Sequence, residues 1–116
     1  MNRIPVRASL IAAGIGLVAL LVAGCGSSDD APKGATTLSF QLTDEGCVPH
    51  SANAPAGPIV FEVENAGTAE VTELEVLDGE AIVGEAENLS EGLSRSFSLR
   101  LDRGNYTIFC PGGSTD

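Results

Sequence analysis

The chain of 116 residues is poor in the side chains on which most enzymes and nucleic-acid-binding proteins depend. It has one histidine, no tryptophan and only 6 lysines and arginines against 16 aspartates and glutamates. A nucleic-acid-binding domain needs the opposite sign of charge. The sequence also lacks a Gly-x-Ser-x-Gly motif, a phosphate-binding glycine loop and a Cys-x-x-Cys pair. We therefore expect a protein that is not an enzyme and has no nucleic-acid partner.

The N-terminal 24 residues have the pattern of an export signal. Two arginines, Arg3 and Arg7, precede a mostly apolar run over 8–23. This run is shorter than the roughly 20 apolar residues that a bilayer span needs. It ends in Leu-Val-Ala-Gly before Cys25, which resembles the lipobox of bacterial lipoproteins. We predict that residues 1–24 are a lipoprotein signal peptide and that Cys25 is lipidated.

The segment that follows is predicted to be a flexible tether. Residues 25–35 are rich in Gly, Ser, Pro and charged side chains, which cannot build a core. We therefore expect an extracytoplasmic protein, in the periplasm or on the cell surface, that is anchored to the cell membrane by Cys25. Loss of two arginines with the signal changes the formal net charge from −10 to −12. Disulfides persist in this compartment.

From residue 36 onward, apolar and polar residues alternate as they do in half-buried strands. The predicted strands centre on 38–42, 59–63, 71–76, 80–86, 96–101 and 106–110, with Gly/Pro turns between them. The Asp78-Gly79 pair predicts a hairpin. The pattern indicates one all-β domain over 36–116, a sandwich or a barrel. A sandwich normally has another strand after the Pro111 loop, so either this chain is a fragment or its last strand is lost. The predicted core consists of Leu38, Phe40, Ile59, Phe61, Val63, Leu74, Val76, Phe97, Leu99 and Ile108.

Two cysteines, Cys47 and Cys110, remain after lipidation, and the residues alone leave two interpretations open. The pair would close a disulfide loop of about 63 residues, worth about 4 kcal/mol on the chain-entropy model. Alternatively, the two thiols would bind a metal ion together with His50 and Glu73, because thiolate, imidazole and carboxylate all bind iron, copper or zinc.

Several runs of the chain resemble the cupredoxin-like domain of EfeO-type iron-uptake components. They are Phe-Gln-Leu-Thr-Asp-Glu-Gly-Cys ending at Cys47, Pro-Ala-Gly-Pro-Ile-Val-Phe-Glu-Val over 55–63, Val-Thr-Glu-Leu-Glu-Val over 71–76, Glu-Asn-Leu-Ser-Glu-Gly over 87–92 and Gly-Asn-Tyr-Thr-Ile-Phe-Cys ending at Cys110. The resemblance extends over about 36–113, which is nearly the whole of the predicted domain.

This resemblance implies a cupredoxin-like Greek-key β-sandwich that binds iron or copper for ion transport. In the family, the residues that match Cys47, Glu73 and Cys110 are proposed ligands; the metal ion is passed to an iron permease with help from a haem peroxidase. A blue-copper protein has a histidine where Glu73 stands, so an electron-transfer copper site is not expected. The alternative is a structural or interaction lipoprotein with a Cys47–Cys110 disulfide and no metal.

We predict that Cys25→Ala releases the protein from the membrane fraction, because the lipid on this residue is the predicted attachment. A single acyl chain binds a membrane only marginally, so stable anchoring requires the several chains of a bacterial lipoprotein. Cell fractionation followed by immunoblotting measures the effect. A variant that still sediments with membranes after a high-salt wash would contradict the lipobox interpretation.

Overall fold

The computed structural model describes residues 31–114, which contain seven β-strands and no helix. The strands are β1 (Thr36–Thr43), β2 (Gly46–Val48), β3 (Gly57–Asn65), β4 (Leu74–Asp78), β5 (Ala81–Ala86), β6 (Ser94–Leu101) and β7 (Thr107–Phe109). Each strand predicted from alternation is present. Only β2 was not predicted, because three residues are too few to show a period. The predicted signal peptide and Cys25 lie outside the described residues.

Residues 31–114 include no helix that is long and apolar enough to cross a membrane.

The strands form two sheets that pack as a sandwich, as the sequence predicts. One sheet has four strands in the order β2-β1-β3-β6, and the other has three in the order β5-β4-β7. Strands β1 and β3 are parallel, and the other neighbouring pairs are antiparallel. The chain therefore crosses between the sheets after β3, after β5 and after β6.

The core lies between the sheets and follows the predicted alternation. Six of the ten predicted core residues are fully buried, and the other four, Leu38, Phe97, Leu99 and Ile108, are partly buried against them. Three phenylalanines stack across neighbouring strands of the larger sheet: Phe61 lies 5.0 Å from Phe97 and 6.3 Å from Phe40 between ring centroids. The sequence did not predict the buried positions of Val71, Ala86 and Leu89.

Asn65, the last residue of β3, is a buried polar residue that connects several loops. Its Oδ1 accepts hydrogen bonds from the backbone N–H groups of Gly67 (2.9 Å) and Thr68 (2.8 Å). Its Nδ2 donates to the carbonyl oxygens of Thr68 (2.8 Å), Leu89 (2.8 Å) and Val71 (3.3 Å). The side chain is 1% exposed, so these bonds replace water that cannot reach it. One amide therefore joins the β3–β4 crossover to the β5–β6 crossover.

Backbone hydrogen bonds complete the same junction. The N–H of Asn65 donates to the carbonyl of Leu93, and the N–H of Gly92 donates to the carbonyl of Asn65. The N–H of Leu89 donates to the carbonyl of Thr72. The two crossovers therefore form one hydrogen-bonded unit at this end of the sandwich, directly before β4.

We predict that Asn65→Ala lowers the free energy of unfolding by about 3 kcal/mol or more, because it leaves several buried backbone groups without partners and each costs about 1–3 kcal/mol. Urea denaturation measures the effect. The exposed Asn53→Ala is the matched control and should change stability by less than about 0.5 kcal/mol. Equal effects at the two positions would show that the buried amide contributes no special stability.

Candidate metal centre

Cys47 and Cys110 form a disulfide between the two sheets. Cys47 lies in β2, at the edge of the larger sheet, and Cys110 directly follows β7, at the edge of the smaller one. Their Cα atoms are 5.5 Å apart, and both residues are buried. A disulfide sulfur is not a thiolate, and the thiolate is the form that binds metal ions. In this structure the pair is a covalent link between sheets; a ligand role would belong to the reduced chain and stays a prediction.

The loop after Cys110 packs closely against the rest of the fold. A Cβ on Gly113 would lie 2.6 Å from the Cα of Gly46. Gly112 has a positive φ of 92°, and a Cβ there would lie 2.6 Å from the carbonyl oxygen of Glu70. Both positions require glycine because no side chain fits these approaches. The disulfide and the two glycines together hold this end of the chain against β2 and the β3–β4 crossover.

Glu73 lies on the outer face of the smaller sheet, just before β4. Leu74 and Val76 point into the core, and Glu75 points to the opposite face, as alternation requires. The carboxylate of Glu73 is grouped with those of Glu75 and Glu85, and one oxygen from each lies within 4.8 Å of the others. Three carboxylates therefore converge on one face of the sheet.

A β-bulge brings Glu85 into this group. Near the Asp78-Gly79 hairpin, Leu77 pairs with Ile82, but past the bulge Glu75 pairs with Glu85. Without the extra residue in β5, the partner of Glu75 would be Gly84, and Glu85 would point into the core. The sequence predicted the hairpin correctly, but a single extra residue is not visible in the alternation.

The structure does not bring the four predicted ligands together. Cys110 is on the inner side of the smaller sheet, whereas Glu73 is on its outer side, because their positions in the pleat are opposite in phase. His50 is exposed in the loop between β2 and β3 and is not part of the carboxylate group. Metal binding by each of these residues stays a prediction, but Glu73 is placed to act with Glu75 and Glu85. The sequence singled out Glu85 only as an outlying acidic residue, and it did not single out Glu75 as a ligand.

Partial burial, together with neighbouring carboxylates, raises the pKa of Glu73 above its ordinary value. Partial burial is the largest cause, since it disfavours the charged form. The negative charge of Glu75, a hydrogen bond with the same side chain and the charge of Glu87 act in the same direction. A bound cation would remove this repulsion, because it supplies the opposite charge at short range.

A family model described as a cupredoxin-like domain matches residues 15–115, most of the chain. The chain belongs to the cupredoxin-like domain family. This cupredoxin-like chain is also similar to the iron uptake system component EfeO of Yersinia pestis (32% identical over 73 residues), of Escherichia coli strain K12 (31%) and of Yersinia pseudotuberculosis serotype I strain IP32953 (30%). The match covers 63% of this chain and 19% of each relative. The EfeO resemblance seen in the sequence is thus confirmed, over about a fifth of the relatives' length.

The donor set of this cupredoxin-like domain does not fit a blue-copper centre. Such a centre needs two imidazoles and a thiolate around one ion. Here the two cysteines are joined in a disulfide, and the chain's only histidine, His50, lies in an exposed loop. Carboxylate oxygens, as offered by Glu73, Glu75 and Glu85, suit hard cations instead. The fold is therefore shared with copper proteins, but the copper ligands are not.

We predict that Glu73→Gln makes the metal-free protein more stable than wild type. The gain in stability should be larger at pH 7 than at pH 4. Because the pKa of Glu73 is raised above 4.5 in the folded state, the folded protein holds this proton more tightly than the unfolded chain. The stability that this proton adds to the folded state is fully present below pH 4.5. It is lost as the pH rises through the folded-state pKa of Glu73. Thermal unfolding in the presence of a chelator, at several pH values, measures the difference in Tm.

The control for this experiment is Glu80→Gln, which removes one charge from an exposed turn outside the carboxylate group. A Tm difference for Glu73→Gln that does not change with pH would show that this carboxyl has no folding-linked proton.

Proposed function

We propose that this cupredoxin-like domain binds a hard metal ion, iron in the first place, as an extracytoplasmic component of an iron-uptake system. The observation that carries the proposal is the convergence of Glu73, Glu75 and Glu85 on one outer face of the sheet. The relatives whose sequences match are named as iron uptake system components, which supports iron as the cargo. The domain would bind and transfer the ion, with no chemical conversion and therefore no enzymatic role.

The chemistry of the face suits reversible binding. Three carboxylates supply oxygen ligands and negative charge, which hard cations prefer. Glu73 and Glu75 are half-buried and Glu85 is exposed, so the ion would be held from the protein side only. The solvent side of the coordination shell would remain for water or for ligands from another protein. A site of this form can release its ion to a partner without unfolding.

The proposed location and partners follow from the sequence. The lipobox at Cys25 would place the domain on the outer surface of the cell membrane, with residues 25–35 as tether. The EfeO resemblance would place it beside an iron permease and a haem peroxidase. The permease is the proposed recipient of the ion, and the peroxidase is proposed to help the transfer. The metal ion is cargo in this scheme, so its affinity should be balanced between capture and release.

A second candidate function is a structural or interaction lipoprotein without a metal. The observation that favours it is the buried disulfide, which removes the two thiols from metal chemistry and stabilises a small core. A measurement of metal binding by the oxidised protein distinguishes the two functions, because only the first function requires it. If binding instead requires prior reduction, the cysteines, and not the carboxylate face, are the ligands.

We predict that Glu73→Gln weakens iron binding by the oxidised protein about tenfold or more, roughly 1.4 kcal/mol, because amide replaces carboxylate without changing size. Competition with a chelator of known affinity measures the dissociation constant. Glu80→Gln serves as the control for the general acidic field. If both variants weaken binding equally and added salt abolishes the effect, the attraction is diffuse, and Glu73 is not a ligand.

A further inference from the structure

The outer face of the larger sheet carries a groove of about 690 Å³, on the opposite side of the sandwich from the carboxylate group. This volume is in the range of small-molecule sites, about 300–1,000 Å³. Polar side chains from three strands form its floor: Ser39, Gln41, Glu62, Glu64, Ser94 and Ser96. Val48 and Pro49 line the groove at the β2 edge. No part of the proposed iron function uses this groove.

The strand register arranges the six polar side chains in two rows of three. In each row a carboxylate of β3 stands between an uncharged polar side chain of β1 and a serine of β6. The first row is Ser39, Glu62 and Ser96, and the second is Gln41, Glu64 and Ser94. All six project from the same face, because directly opposed residues in neighbouring strands share a face.

Each row offers three oxygen acceptors to a single ligand group. The hydroxyl of Ser39 already donates to the Oε2 of Glu62 at 3.2 Å, which shows that neighbouring side chains of a row lie within hydrogen-bond reach. An ammonium group has three N–H donors and no acceptor. A primary ammonium above the central carboxylate therefore finds a charged acceptor, with a neutral oxygen on either side.

The charges of the groove select the sign of the ligand. Glu62 and Glu64 are both exposed on its floor. The basic side chain among the lining residues is Arg95, and its Nη1 donates to the backbone carbonyl of Glu87 at 3.0 Å. The two carboxylates outnumber this one guanidinium, so the floor favours cations over anions. Phe40 also lines the groove, but its ring is buried in the core and presents no platform on which a sugar could stack.

The spacing of the two rows selects the shape of the cation. Glu62 and Glu64 are two residues apart on one strand, a separation of about 6.6 Å. This distance is close to the extended length of 1,4-diaminobutane. A metal ion is a poorer match, because each row has one carboxylate, and the group of three carboxylates in the described part of the chain is on the other sheet. We infer that the groove binds a linear polyamine, with one ammonium group over Glu62 and the next over Glu64.

The test is calorimetric titration of the full chain, in detergent and at low salt, with spermidine and with diamines of increasing length. We expect 1,4-diaminobutane to bind at least several-fold more tightly than 1,2-diaminoethane, because the shorter diamine cannot reach both rows. The double variant E62Q/E64Q should lose about tenfold or more in affinity for spermidine. The control E70Q/E80Q removes the same number of charges from exposed positions outside the groove and should lose less than about twofold.

Several results would overturn the inference. They are no measurable binding by the wild-type chain, no dependence on diamine length, and equal losses in the two double variants, which would indicate a diffuse acidic field. Magnesium that displaces spermidine from the groove at equal concentration would show a general cation site instead. Thermal unfolding of each variant separates lost binding from lost folding. Iron binding at Glu73 is measured separately, so either proposal can fail without the other.

Discussion

The buried amide of Asn65 is the interaction on which the arrangement of the two sheets depends. A β-sandwich needs its crossovers to leave one sheet and enter the other at a defined height, and loop backbone there has no ladder partners of its own. Asn65 supplies both donors and acceptors to the two crossovers at one end of the molecule. The backbone that follows enters β4 with Leu74 inward and Glu75 outward. The disulfide joins the β2 edge of the larger sheet to the β7 edge of the smaller one, and the stacked phenylalanines pack between the sheets.

Most of the fold was predictable, because period-two alternation is a direct consequence of burying one face of a strand. The long strands and most of the core follow from it, and so does the hairpin at Asp78-Gly79. The remaining features depend on contacts that alternation does not encode. The strand β2 is too short to show a period, and Leu89 is buried by a loop that Asn65 holds in place. A buried asparagine and an exposed one look alike in a sequence.

The candidate site was predictable only in part, for a related reason. The EfeO resemblance singled out Glu73, which the structure places among three converging carboxylates, but it also grouped Glu73 with cysteines that lie on the other side of the sheet. Sequence similarity identifies residues by their positions along the chain. The alternation of side chains along each strand determines which of those residues lie on the same face of the sheet. The sandwich thus separates two chemistries: sulfur lies inside as a covalent link, and oxygen lies outside as an open group of anions.

The bulge in β5 has a consequence for how this family is compared. The side chains of one strand are displayed in phase with those of its neighbour, and a single inserted residue reverses that phase from the bulge onward. Glu85 is therefore an outward group by virtue of one residue whose own chemistry is irrelevant. Two cupredoxin-like domains that share every glutamate but differ by one residue in this hairpin would present different surfaces. Relatives that carry this acidic face should therefore share the number of residues between the Asp78-Gly79 turn and Glu85 as well as the glutamates themselves.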